Sequence, residues 1–130
     1  MTYYFSTTLS LGFDDAVERT TAALKDGGFG IITEIDVKQT LKQKLGVDFR
    51  RYTILGACNP ALAHQALQIE DKVGTMLPCN VVVQEIGEGK VEIAAVDPAA
   101  SMASIENPKL KAIADGVREK LKAVIAALQR

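Results

Sequence analysis

VVVQEIGEGKVEIAAV, residues 81–96, is the stretch on which the fold turns. Two runs rich in valine, isoleucine and alanine flank Gly87-Glu88-Gly89, a loop that only an antiparallel hairpin needs. Strands adjacent in sequence and antiparallel in space exclude strict β-α alternation with an all-parallel sheet. The elements on either side must then be placed around that hairpin.

Upstream, residues 2–11 are rich in Thr, Tyr, Phe and Leu and read as a strand. Phe13, Val17 and Leu24 recur at helical spacing, with Asp14 and Asp15 at the positive end of the helix dipole. Gly27 and Gly28 suit a left-handed C-terminal cap. Residues 29–35 form a short strand, and Asp36 with Gln39 makes a variant capping box for a helix over 37–45. Val37, Leu41 and Leu45 give that helix an apolar stripe, ended by Gly46. Residues 49–57 read as a strand. Asn59-Pro60 then reads as N-cap and first helical residue, opening a helix with Leu62, Ala66 and Ile69 on one side. Residues 97–106 lack periodicity and read as a surface connection, with a turn at Asp97-Pro98. Asn107-Pro108 repeats the capping device, and the apolar stripe from Leu110 to Leu128 marks a long final helix.

With 48% hydrophobic and 24% charged residues, the 130-residue chain can bury one core, so a single domain over 1–130 is expected. The fold class is α+β: two layers, one mostly antiparallel sheet of about five strands, helices packed on one face. The uncovered face points to a homodimer. A net charge of −1, no Trp and 5% aromatic residues argue against nucleic-acid binding. No apolar run reaches membrane-spanning length and the opening MTYYFSTTLS lacks a signal-peptide pattern, so a cytoplasmic protein with no membrane partner is expected. Its two cysteines should then be reduced.

Those cysteines stand in related settings, ILGACNP at 54–60 and LPCNVVV at 77–83. Cys58 precedes a helix N-terminus, where N–H groups and the dipole favour a thiolate or an anionic ligand. It is equally a small apolar residue of the kind cores bury. Cys79 is core filler unless it meets Cys58. Asn59 and Asn80 are a helix cap and a turn former, or amide donors beside the two sulfurs. His64, the single histidine, has the chemistry of a base for a cysteine nucleophile. Cys58, His64 and Cys79 could contribute to a zinc site, although their spacing matches no close-paired zinc arrangement. Otherwise no metal or cofactor is expected. Lys38, Lys42, Lys44, Arg50 and Arg51 form a basic cluster that reads as the wet side of a helix.

The run TEIDVKQTLKQKLGVDFRRYTILGACNPALAHQAL (33–67), followed by LPCNVVVQE (77–85), resembles the uncharacterised bacterial and archaeal family catalogued as domain of unknown function 302. The resemblance extends from GFGIITEID through AVDP to the final helix. It implies a two-layer α+β protein, a core similar to the TATA-box-binding-protein-like fold, and dimers. It implies no activity, and a shared architecture is not evidence of DNA binding.

Together these readings give a homodimeric module binding a small, anionic ligand at Cys58, Asn59, His64, Cys79 and Asn80. Two alternatives stand beside it: a thiol-dependent enzyme or redox protein using Cys58 and Cys79, and a structural or interaction module whose cysteines are core.

Overall fold

The computed structural model describes residues 2–129. In chain order the elements are β1 (Tyr4–Leu9), α1 (Phe13–Asp26), β2 (Gly30–Asp36), α2 (Val37–Leu45), β3 (Tyr52–Cys58) and α3 (Pro60–Ile69). A 3₁₀ segment (Asp71–Met76), β4 (Cys79–Gly87), β5 (Lys90–Val96), α4 (Pro98–Ser101) and α5 (Pro108–Leu128) follow. The five strands form one sheet in the order β1-β5-β4-β3-β2, and each pairs with its neighbour in the antiparallel sense. The expected hairpin is therefore the centre of the sheet, closed by a tight turn in which Gly89 takes a positive φ of 68°.

Alternation along the central strands decides which face the helices cover. Val81, Val83, Val91, Ile93 and Ala95 point inward, each 1% exposed or less. They meet Leu24 and Phe13 of α1 and Leu121, Val124, Ile125 and Leu128 of α5 in the main core. Burying one such aliphatic side chain contributes about 1.5–3 kcal/mol, so this row alone fixes helices to that side. The other face is open, and the sheet carries its helices on one side. A second, smaller core joins Ala66 of α3, Val73 of the 3₁₀ segment, Met102, and Leu110 and Ala114 of α5.

Three helices start on the expected caps. Asp36 Oδ1 accepts from Gln39 N at 2.9 Å, Asn59 Oδ1 from Leu62 N at 3.2 Å, and Asn107 Oδ1 from Lys109 N at 3.1 Å. Gly28, with φ of 91°, is the left-handed residue after α1. The apolar stripe on α2 stays in solvent: that helix has no buried residue and Leu45 is 68% exposed. Two local expectations are corrected. Residues 97–106 are not a plain surface connection, because α4 forms there and Pro98 and Met102 are buried. Asp97 does not simply turn the chain. Its carboxylate caps α4 through Ala99 N and Ala100 N and pairs with Arg118 Nε at 3.3 Å.

Gly56 is required by close approach rather than by dihedral freedom. A Cβ there would collide with the Thr33 hydroxyl and come within 2.8 Å of Pro78 Cγ. Gly30 on the adjoining strand has open space where its Cβ would stand. Gly56→Ala should therefore lower unfolding stability by about 1–3 kcal/mol, the usual cost of overpacking, while Gly30→Ala leaves it within about 0.5 kcal/mol. Urea midpoints of the two variants measure this.

Candidate functional site

At the end of the sheet where β3 stops and β4 begins, the side chains are small. Ala57 and Cys79 occupy inward positions that farther along the same strands hold Leu55, Val81 and Val83, and Cys58 is the last residue of β3. Register sets Ala57 directly opposite Cys79 and Cys58 opposite Gly30 of β2. The helices above are small there too, with Ala63 and Ala66 on α3 and Ala114 on α5. What these side chains leave unfilled is a cavity of about 350 Å³.

The cavity lies on the seam between the two cores. The sheet supplies Phe29, Ala57, Cys58 and Cys79; α3 supplies Leu62, Ala63, Ala66 and Leu67; α5 supplies Leu110, Ile113, Ala114 and Val117. Pro98 and Met102 form a further wall, held in place by the Asp97–Arg118 pair and by Asp97 N donating to Tyr3 O at 2.7 Å. Ile32, at a register shift in β2, is 61% exposed and Leu67 is 43% exposed, so these two apolar side chains mark the mouth. Among the described residues, no carboxylate, ammonium, guanidinium or imidazole lines the space. Asn59 and the two thiols are its polar side chains.

Three of the five expected site residues meet here: Cys58, Asn59 and Cys79. Asn59 spends its carbonyl oxygen capping α3, and its amide nitrogen stands close to Gly28, 3.3 Å from where a Cβ would be. The helix end offers little to an anion. Pro60 has no N–H, Leu62 N donates to the Asn59 side chain, and Ala63 N donates to Asn59 O. The other two expected residues are elsewhere. Asn80 follows an inward residue in an extended strand, so it points to the open face and forms no wall with Cys79. His64 is exposed and outside the cavity, on a different side of α3 from Leu62 and Ala66. The zinc set of Cys58, His64 and Cys79 is not assembled, and among the described residues no three His, Cys, Asp or Glu side chains gather for a metal. The groups that could hold one are sulfurs: Cys58, Cys79 and Met102.

Both cysteines are free thiols. Burial pushes the Cys79 thiol up from 9.0 to about 11, and charge on neighbouring Cys58 adds to the effect. Cys79 is therefore protonated at neutral pH and a poor nucleophile. The basic cluster is spent on structure: Arg51 pairs with Asp14 at 2.8 Å and lies over Phe13, and Arg50 lies over Phe49 and donates to Gln84. The residues that sequence reading missed are Pro98, Met102 and the α5 wall. Only the α5 stripe carried a signal, and it read as core.

The family described as "Domain of unknown function DUF302" matches residues 5–128. A solved structure, the crystal structure of an uncharacterised conserved DUF302 protein from Bacillus stearothermophilus, superposes with a TM-score of 0.88 at 31% identity, covering 97% of this chain and 98% of that one. No match was found among curated proteins. No helix among the described residues is long and apolar enough to cross a membrane.

The raised thiol has two measurable consequences. At pH 8, iodoacetamide should modify native Cys79 about a hundredfold more slowly than an unperturbed thiol, because a two-unit rise cuts its thiolate fraction by that factor. Site-resolved mass spectrometry reads it. Since the unfolded thiol ionises first, stability should be unaffected by this group below pH 9.0 and fall as pH rises toward about 11. Cys79→Ala should remove that fall from the pH profile of urea unfolding.

Proposed function

The chain belongs to the DUF302 family, and from the geometry of its cavity we propose that it binds a small apolar molecule between α3, α5 and the sheet end. One observation carries this reading: a space of about 350 Å³ lined almost wholly by aliphatic side chains, Ala and thiols, with an apolar mouth. That size lies within the range of roughly 300–1,000 Å³ in which small-molecule sites fall. Charged ligands fit poorly, since no cation among the described residues lines the space and Asn59 takes up Leu62 N and Ala63 N at the helix end. The ligand expected from sequence at this place is thus kept, and its anionic character is given up. A thiol-enzyme reading finds less support, because Cys79 stays protonated.

Screening of uncharged apolar compounds, such as medium-chain alcohols, alkylbenzenes and terpenoids, by thermal unfolding tests the proposal. A ligand at a hundredfold excess over its Kd stabilises by about 2.7 kcal/mol, which raises Tm by roughly 10 °C for a domain of this size. Ala63→Phe, which fills the cavity from a partly exposed position, should abolish the shift while leaving the ligand-free Tm within a few degrees. A panel without any shift, or a shift that survives Ala63→Phe, refutes the assignment.

We propose also that the open sheet face meets a second copy of the chain. Tyr4, Tyr52, Ile54, Val82, Ala94 and Val96 lie on it, and the acidic Glu92 there is bridged through Gln84 to Arg50. A face without excess charge can meet its own copy without like-charge repulsion. Five strands about 4.8 Å apart and about 20 Å long present on the order of 500 Å² in flat projection, near the ~800 Å² per partner of a stable interface once side-chain relief is counted. Sedimentation should give a dimer at micromolar concentration, and Ala94→Arg a folded monomer. A monomeric parent chain would refute the pairing.

A further inference from the structure

The cavity has a chemical bias that size and apolarity do not require. The chain contains two cysteines and three methionines, and three of these five sulfur residues, Cys58, Cys79 and Met102, line this one space. They arrive from three separate elements: the end of β3, the start of β4, and the residue after α4. We propose that these three side chains form a binding site for a soft monovalent cation, copper(I), with silver(I) as its redox-inert analogue.

The donor set selects the metal. Thiolate and thioether ligands favour copper(I), whereas hard cations need carboxylate and carbonyl oxygen. No acidic side chain and no imidazole line the cavity, so calcium, magnesium and manganese have no ligands there. Structural zinc takes four ligands, and neither His64 nor a carboxylate completes a set with the two cysteines. Copper(I) is satisfied by two or three sulfurs.

Two thiolates and one monovalent cation carry a net charge of −1, so the metal cancels half of the charge that the two thiolates would otherwise place in an apolar cavity. Ala57, the residue before Cys58, stands directly opposite Cys79 in the β3–β4 register, which brings both cysteines to the same end of the sheet. Met102 is held by the Asp97 cap on α4 and the Asp97–Arg118 pair, and Cys79 by its pairing with Ala57 of β3. Binding breaks two S–H bonds and forms two metal–thiolate bonds and one dative metal–thioether bond. Both protons leave to solvent, Met102 donates a lone pair, and no electron is transferred. This assignment does not rest on the apolar-ligand reading, since it uses donors that reading does not need.

The test is anaerobic titration of the full, reduced chain with copper(I) against the chromophoric chelator bicinchoninate, with X-ray absorption on the one-equivalent complex. One copper per chain is expected, with a shell of two or three sulfurs and no nitrogen or oxygen. Cys58→Ser and Cys79→Ser should each weaken binding at least about a hundredfold, and Met102→Leu, close in shape, about tenfold. Silver(I) should compete for the same equivalent, and zinc at equal concentration should not. The proposal is overturned by a shell with a single sulfur, by retention no stronger than that of the urea-unfolded chain, or by displacement of copper by zinc. If Cys79→Ser does not fold, the sulfur count in the parent chain and the Met102→Leu affinity decide the matter alone. A tight site that ignores Met102→Leu and has one sulfur neighbour counts against it.

Discussion

The structure depends on one row of side chains, the inward residues of the central hairpin. Val81, Val83, Val91, Ile93 and Ala95 are all but excluded from solvent, and they occupy the middle of a five-stranded sheet. Because side chains alternate along a strand, a slip of one residue would turn the whole row to the wrong face. Everything else follows from keeping it covered. The amphipathic helices α1 and α5 must lie on that side, β1 and β3 must flank the hairpin, and the opposite face of the sheet is left without a layer.

The cavity is where this covering runs short of volume. The row ends at Cys79, next to Ala57, and the helices above bring alanines to the same level. Interiors pack to nearly crystalline density, so a gap of this size between two well-packed clusters is not an ordinary packing fault. The wall opposite the sheet is also specified rather than left to chance. Asp97 is buried, yet each carboxylate oxygen has a role, one capping α4 and the other meeting Arg118. A buried carboxylate that lost its guanidinium partner would be strongly destabilising, which keeps α4 and Met102 against the cavity.

Much of the architecture was legible because it rests on local chemistry. The hairpin declared itself by two β-rich runs and a glycine-flanked turn, and three helices began on the expected Asp or Asn caps. What escaped notice had no local signature. The short helix at 98–101 is fixed by a tertiary ion pair to Arg118, 21 residues away, rather than by periodicity. The stripe on α2 has the spacing of an apolar face, but no residue of α2 is buried. The Cys-Asn echo misled for a different reason. Asn80 reads as a turn former ahead of the strand, whereas β4 begins at Cys79, so the two residues alternate to opposite faces. His64 was decided by helical phase, falling about 200° round α3 from Leu62 and so away from the cavity.

Strand β4 therefore carries two surfaces back to back. Cys79 and Val81 look toward the helices, Asn80 and Val82 toward the open face. The strand is paired along both edges, with Leu55 and Ala95 on either side of Val81, so it cannot shift toward one face without breaking two ladders. An interior held this way insulates the surfaces from each other. Contact between two copies across the open face needs nothing from the cavity, and an occupant of the cavity needs nothing from a second copy. The moving parts available to admit such an occupant are on the rim, where Ile32 sits at an irregular step of an edge strand and Leu67 projects from α3 into solvent. Edge irregularities and exposed side chains rearrange at little cost compared with a central ladder, so the fold can be rigid beneath the site and still yield at its mouth.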